Sequence, residues 1–91
     1  MNRNDDLAEK QDIVRKNIVE QYITQRKLHN LTQEELASIM GVKRPNISRF
    51  ETGQYNPTLD LLVKMAECMD LEIEVTLTNK RKGMKDDGKE Q

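Results

Sequence analysis

Aromatic residues are scarce in this chain. It has no tryptophan, one phenylalanine and two tyrosines in 91 residues, so its interior must be filled by Leu, Ile, Val, Met and Ala. That composition suits helices. Cysteine is nearly absent too: Cys68 stands alone, which excludes an intrachain disulfide and a cysteine metal cluster and leaves it a small packing residue. No apolar run approaches the length of a membrane span, and Met1–Gln11 lacks the apolar centre of a secretory signal, so the expected compartment is the cytoplasm. His29 is the single histidine, and no carboxylates cluster at a metal-ligand spacing. Neither an enzyme, a metal nor a cofactor is expected from such a set. Nor does charge of one sign dominate: 34% of the residues are charged, yet the net charge is −1.

The distribution of charge says more than its sum. From Arg26 to Gln54 the bases Arg26, Lys27, Lys43, Arg44 and Arg49 outnumber the acids Glu34, Glu35 and Glu51. From Asp60 to Glu74 the acids Asp60, Glu67, Asp70, Glu72 and Glu74 face Lys64 alone. A basic face with an acidic back fits a polyanionic partner. A chain of this size also buries only about 60% of its unfolded surface, so a partner subunit is often part of its stability.

Residues 1–10 are polar and expected to be flexible. A first helix is predicted from about Gln11 to Leu28, where Val14, Ile18 and Tyr22 recur at helical spacing, and Asn30 is able to end it in the left-handed conformation. Thr32-Gln33-Glu34-Glu35 has the form of a capping box opening a second helix to about Met40, with Leu36, Ile39 and Met40 inward. Gly41 breaks that helix, and Pro45 opens a third with Arg44 in the cap position, closed by Gly53. Thr58 caps a fourth helix whose inward residues are Leu59, Leu62, Met65, Ala66 and Met69. Beyond Asp70 the period changes: Leu71, Ile73, Val75 and Leu77 alternate with Glu72, Glu74, Thr76 and Thr78, the pattern of a half-buried strand. Residues 79–91 carry eight charges in thirteen positions and are expected to be a disordered tail, in which Lys80, Arg81 and Lys82 are solvated or touch a phosphate backbone.

The informative stretch is Gln33–Thr52, two short helices joined by a tight turn. Ala37 is small where they approach, Gly41 frees the turn, and Val42, Ile47 and Phe50 fill the angle between them. On a helical wheel Ile47 and Phe50 fall together, and Pro45, Ser48, Arg49 and Thr52 fall opposite. A polar, basic helix face projecting from a rigid corner is what reading the major groove requires.

Four pieces in register make the resemblance specific: Arg26 with Leu31–Ala37 (LTQEELA), Gly41-Val42, Asn46–Gly53 (NISRFETG) and Asn56–Leu59 (NPTL). Together they resemble the phage repressor/Cro-type, or XRE, helix-turn-helix family. The resemblance implies an all-α, lambda-repressor-like DNA-binding domain of four to five helices over residues 11–70, followed by a dimerising strand over 71–78. It implies base contacts by Arg44, Pro45, Ser48 and Arg49, and phosphate contacts by Gln33, Lys43, Thr52 and Gln54. Pro45 offers only apolar contact, for instance to a thymine methyl. Many relatives carry a Ser or Thr cap where Lys43 stands. Glu51 points partly inward and needs a partner; the resemblance nominates Arg26. Arg26 is then either a DNA contact or one half of a clamp between the first and third helices, and the cost of an unpaired buried charge favours the clamp.

The lone strand pattern has no second strand to pair with in its own chain, so its expected partner is the same segment of a second copy. Leu71, Ile73, Val75 and Leu77 would form that homodimer interface, and centring the twofold axis on Val75 keeps Glu72 and Glu74 away from one another. The resemblance implies a repressor as the expected function, and the dimer an inverted-repeat site. A domain followed by a strand also resembles HipB-like and HigA-like antitoxins, which bind a toxin protein and repress their own operon. A protein-interaction module without DNA binding is the alternative of another class; it would more often expose apolar anchors on the outward helix face.

Overall fold

Four helices form among residues 3–80, the part of the chain that the computed structural model describes: α1 (Arg3–Leu28), α2 (Gln33–Met40), α3 (Arg44–Glu51) and α4 (Leu59–Cys68). No glycine or proline interrupts the chain before Gly41, and α1 runs for 26 residues. It starts at Arg3 rather than near the expected Gln11, so most of the N-terminal stretch expected to be flexible is helical. Extending an established helix adds one hydrogen bond per residue fixed, and Leu7, Ala8, Glu9 and Lys10 are strong helix formers, so no buried face is needed there.

Asn30 ends α1 in the left-handed region (φ 57°), with the Leu31 amide donating to the Arg26 carbonyl at 3.1 Å. The capping box at α2 is complete: the Glu35 amide donates to Thr32 Oγ1 at 3.0 Å, and the Thr32 amide to Glu35 Oε1 at 2.8 Å. Gly41 (φ 75°) then reverses the chain, and the Val42 amide donates to the Ala37 carbonyl at 2.9 Å. A Cβ at Gly41 would meet nothing within 4 Å, so it is the positive φ and not crowding that suits glycine here. The cap of α3 is Lys43, in extended conformation and without a side-chain cap bond, where the sequence pointed to Arg44. Pro45 thus sits one residue further into the first turn, a position that still requires no amide donor. Thr58 Oγ1 accepts from the Leu61 amide at 3.0 Å and opens α4.

Leu36, Ala37 and Met40 of α2, Ile47 and Phe50 of α3, and Leu62, Met65 and Ala66 of α4 meet Val19 and Met69 in one buried core. Phe50 lies edge-on to Tyr22 of α1, ring centroids 5.5 Å apart, and the Tyr22 hydroxyl donates to the Leu62 carbonyl at 2.8 Å. Burial raises the Tyr22 phenol above its ordinary pKa. Three apolar residues expected inside are exposed: Val14, Ile39 and Leu59. Ile39 lies to the side of the Leu36–Ala37–Met40 face, Leu59 precedes the buried turns of α4, and Val14 precedes the part of α1 that is packed.

The described residues contain neither a fifth helix nor a strand, so the C-terminal strand expected over 71–78 is not formed within this chain. A strand is defined by its partner, and the segment has none here. Leu71 and Ile73 lie half-buried against the core, whereas Val75 is 73% and Leu77 92% exposed. Of the expected charged tail, residues 81–91 lie outside the described residues, as do Met1 and Asn2.

Candidate nucleic-acid interface

Helix α3 has two unlike faces. Ile47 and Phe50 anchor it in the core, while Lys43, Arg44, Pro45, Asn46 and Arg49 are exposed and Ser48 half-buried. Thr52 and Gln54, just beyond its end, are also exposed. The left-handed Gly41 and the packing of α2 against α3 fix the angle at which this face projects. One acid lies on α3, Glu51, and it is withdrawn from the outward face.

Arg26 of α1 holds Glu51 with a two-pronged bond: Nε donates to Oε2 at 2.7 Å and Nη2 to Oε1 at 3.0 Å. Nη1 of the same guanidinium donates to the Leu31 carbonyl at 2.8 Å. Arg26 is only 9% exposed, so its charge depends on these partners. The structure therefore brings Arg26 and Glu51 together as a clamp between α1 and α3. A third member was not foreseen from the sequence: Gln33 Nε2 donates to Glu51 Oε1 at 2.8 Å. The Gln33 amide is thus oriented from within, and what it offers outward is its second N–H and its backbone amide at the positive end of α2.

Arg49 is also held. Its Nη2 donates to Asn46 Oδ1 at 3.0 Å, and its guanidinium carbon stands 5.9 Å from the centroid of the Tyr55 ring. Thr52 Oγ1 donates to the Arg49 carbonyl at 2.7 Å and accepts from the Gln54 amide at 3.4 Å, tying the end of α3 to the loop that carries Tyr55. The i,i+3 spacing of Asn46 and Arg49 was a usable signal for the first contact. Tyr55 lies past Gly53, where helical periodicity no longer applies.

Elsewhere, His29 Nδ1 lies 2.8 Å from the Gln25 carbonyl near the end of α1, and Cys68 is half-buried on α4. Among the described residues no group of three or more His, Cys, Asp or Glu is placed to hold a metal ion, and no helix is long and apolar enough to cross a membrane.

A protein-family model described as helix-turn-helix matches residues 23–75. An uncharacterised HTH-type transcriptional regulator of Methanocaldococcus jannaschii is 49% identical over 49 residues, covering 54% of this chain and 74% of the relative. The cryptic phage CTXphi transcriptional repressor of Vibrio cholerae is 33% identical over 57 residues, covering 63% of this chain and 51% of the relative. The antitoxin HigA1 of Mycobacterium tuberculosis is 35% identical over 60 residues, covering 66% of this chain and 40% of the relative. Thus the chain spans about half or less of the latter two. A toxin–antitoxin module structure from Streptococcus pneumoniae shares the fold, with a TM-score of 0.58 at 24% identity over 87% of this chain and 84% of the other.

Proposed function

We propose, because the chain belongs to the helix-turn-helix family, that it is a sequence-specific transcriptional regulator: a dimeric repressor that lays α3 in the major groove of an inverted-repeat site. The observation that carries this reading is the outward face of α3, where Lys43, Arg44 and Arg49 are exposed while the helix's one acid is neutralised inside by Arg26. That face presents no large apolar anchor, which favours DNA over a protein partner at this surface. Arg49 reads guanine through its unused N–H edge, Arg44 and Ser48 lie at neighbouring base edges, and Pro45 meets a thymine methyl. Lys43, Thr52, Gln54 and the N-terminus of α2 at Gln33 bind phosphates on either side and set the register. Residues 11–70 form the reading unit, 71–78 pair with a second copy through Leu71, Ile73, Val75 and Leu77, and 79–91 form a tail. The site of action in this reading is the cytoplasm.

The test begins by selecting duplexes from a random pool with the full chain. On the selected site Arg49→Ala should weaken binding by about 1–3 kcal/mol and erase preference at one base pair. Gln33→Ala and Thr52→Ala should weaken all sequences more evenly. Binding should fall with salt at a log–log slope of about −0.9 per neutralised phosphate. No enrichment of any sequence, or equal loss on specific and random DNA for Arg49→Ala, contradicts the assignment.

A second reading makes the same chain the antitoxin of a toxin–antitoxin pair. The similarity to the M. tuberculosis antitoxin HigA1 favours it. A short toxin-like reading frame beside this gene, whose product co-purifies with the chain and changes its affinity for the selected site, is the expected finding.

A further inference from the structure

Arginine on an exposed helix face ordinarily samples many rotamers, and a base reader that must be ordered on binding loses affinity and discrimination. Arg49 is different. Asn46, one turn earlier on α3, accepts from its Nη2 at 3.0 Å, and Tyr55 lies under its guanidinium at 5.9 Å from the ring centroid. These two contacts come from separate elements: the hydrogen bond fixes one end of the fork, and the ring attracts the guanidinium toward its face. Tyr55 is itself anchored, being half-buried against the core. Gly53 (φ 73°) and the Thr52 hydroxyl turn the chain back after α3, which is what carries the ring alongside the helix.

We propose that Tyr55 and Asn46 are specificity-determining positioning residues that hold Arg49 in its base-reading conformer before DNA arrives. The inference rests on the base-reading role of Arg49 proposed above. A guanidinium has five N–H donors; Asn46 uses one, and attraction to a ring face uses none. The remaining edge still suits guanine O6 and N7, so the holding contacts and the reading contact are compatible. Tyr55 acts through its ring face, so the hydroxyl is dispensable to this role.

The experiment measures binding of the full chain to the selected site and to variants altered at each base pair in turn, alongside thermal melting. Tyr55→Leu is expected to reduce preference about 2–5-fold, the range of an exposed cation–π contact, at the same base pair that Arg49→Ala affects and little elsewhere. Tyr55→Phe should keep the wild-type preference. Asn46→Ala should shift the same base pair in the same direction. Asn46 is exposed, so this variant tests the idea even where Tyr55→Leu melts early. The proposal is overturned when Tyr55→Leu and Asn46→Ala keep wild-type base preference, weaken all sequences equally, or bind the site more tightly. It is also overturned when Tyr55→Phe behaves like Tyr55→Leu. Arg49→Ala with an unchanged preference profile overturns the base-reading role itself and this inference with it. A sensitive Arg49 beside insensitive neighbours overturns this inference alone.

Discussion

Glu51→Gln isolates what the clamp between α1 and α3 contributes. The native carboxylate accepts from Arg26 Nε at 2.7 Å, Arg26 Nη2 at 3.0 Å and Gln33 Nε2 at 2.8 Å. A glutamine keeps the shape but has one acceptor oxygen. Leaving that oxygen toward Arg26 Nη2 and Gln33 sets its NH2 against Arg26 Nε, a donor facing a donor. It also leaves the Arg26 charge without a counter-ion at a site only 9% exposed. Breaking a buried pair by removing one partner costs about 3–5 kcal/mol, and the lower end applies where the shape is kept. At ~4–8 °C per kcal/mol for a domain of this size, a loss of ~3 kcal/mol lowers Tm by ~12–24 °C. Circular dichroism melting near neutral pH reads this directly. Removing both charges with Arg26→Met and Glu51→Leu should give a protein more stable than either single variant, because no buried charge is then unpaired. Two results refute the reasoning. One is Glu51→Gln melting within about 2 °C of wild type. The other is a variant of native stability with altered base preference, which would make the pair a reader of DNA instead of a brace.

Tyr22→Phe removes the hydrogen bond to the Leu62 carbonyl and should cost about 0.5–1.5 kcal/mol at neutral pH. Because burial raises the folded pKa of Tyr22, its contribution is fully present below the unfolded value near 10 and is lost as pH rises through the folded value. Melts from pH 9 upward should show wild type losing stability relative to the Phe variant; parallel curves would contradict this. Val75→Asp should dissociate the proposed dimer by setting two like charges against each other at its axis, with little effect on the subunit, since Val75 is exposed. Sedimentation at micromolar concentration reads it, and a wild-type monomer or an unaffected variant contradicts the proposed pairing.

What was legible in the sequence was local. The capping box at Thr32 and Glu35, the cap at Thr58, and the reversals at Asn30 and Gly41 each depend on residues within a few positions, and all four occur in the structure. Burial of Ile47 and Phe50 followed from their shared side of a helix, and from it the outward face of Arg49. What failed was burial judged by residue type alone: Ile39 and Leu59 are apolar, but α2 and α4 turn other residues toward the core. The start of α1 failed for the converse reason. A polar stretch lacks a buried face, yet a helix packed through Val19 and Tyr22 extends through it on backbone hydrogen bonds. The Gln33–Glu51 and Arg49–Tyr55 contacts were invisible because they join residues across a turn or a loop, where spacing carries no periodic signal.

The segment after α4 combines both lessons. Alternation of Leu71, Ile73, Val75 and Leu77 is a local signal, but a strand is a non-local object that needs hydrogen-bonding partners. Its apolar side chains divide unequally. Leu71 and Ile73 find their own core, while Val75 and Leu77 extend past it into solvent. A segment selected only to cover its own subunit would have no reason to continue the alternation after Ile73. Five further residues that keep the period, and that place a glutamate or threonine on the opposite face each time, fit a surface completed from outside. Partner backbone would satisfy the amides and carbonyls of this segment, and partner side chains would cover Val75 and Leu77. The twofold axis needed for that pairing would be the same one that, in the proposed repressor, presents two α3 helices to two half-sites. In the proposed dimer, assembly and inverted-repeat recognition would have a common geometric origin in the eight residues from Leu71 to Thr78.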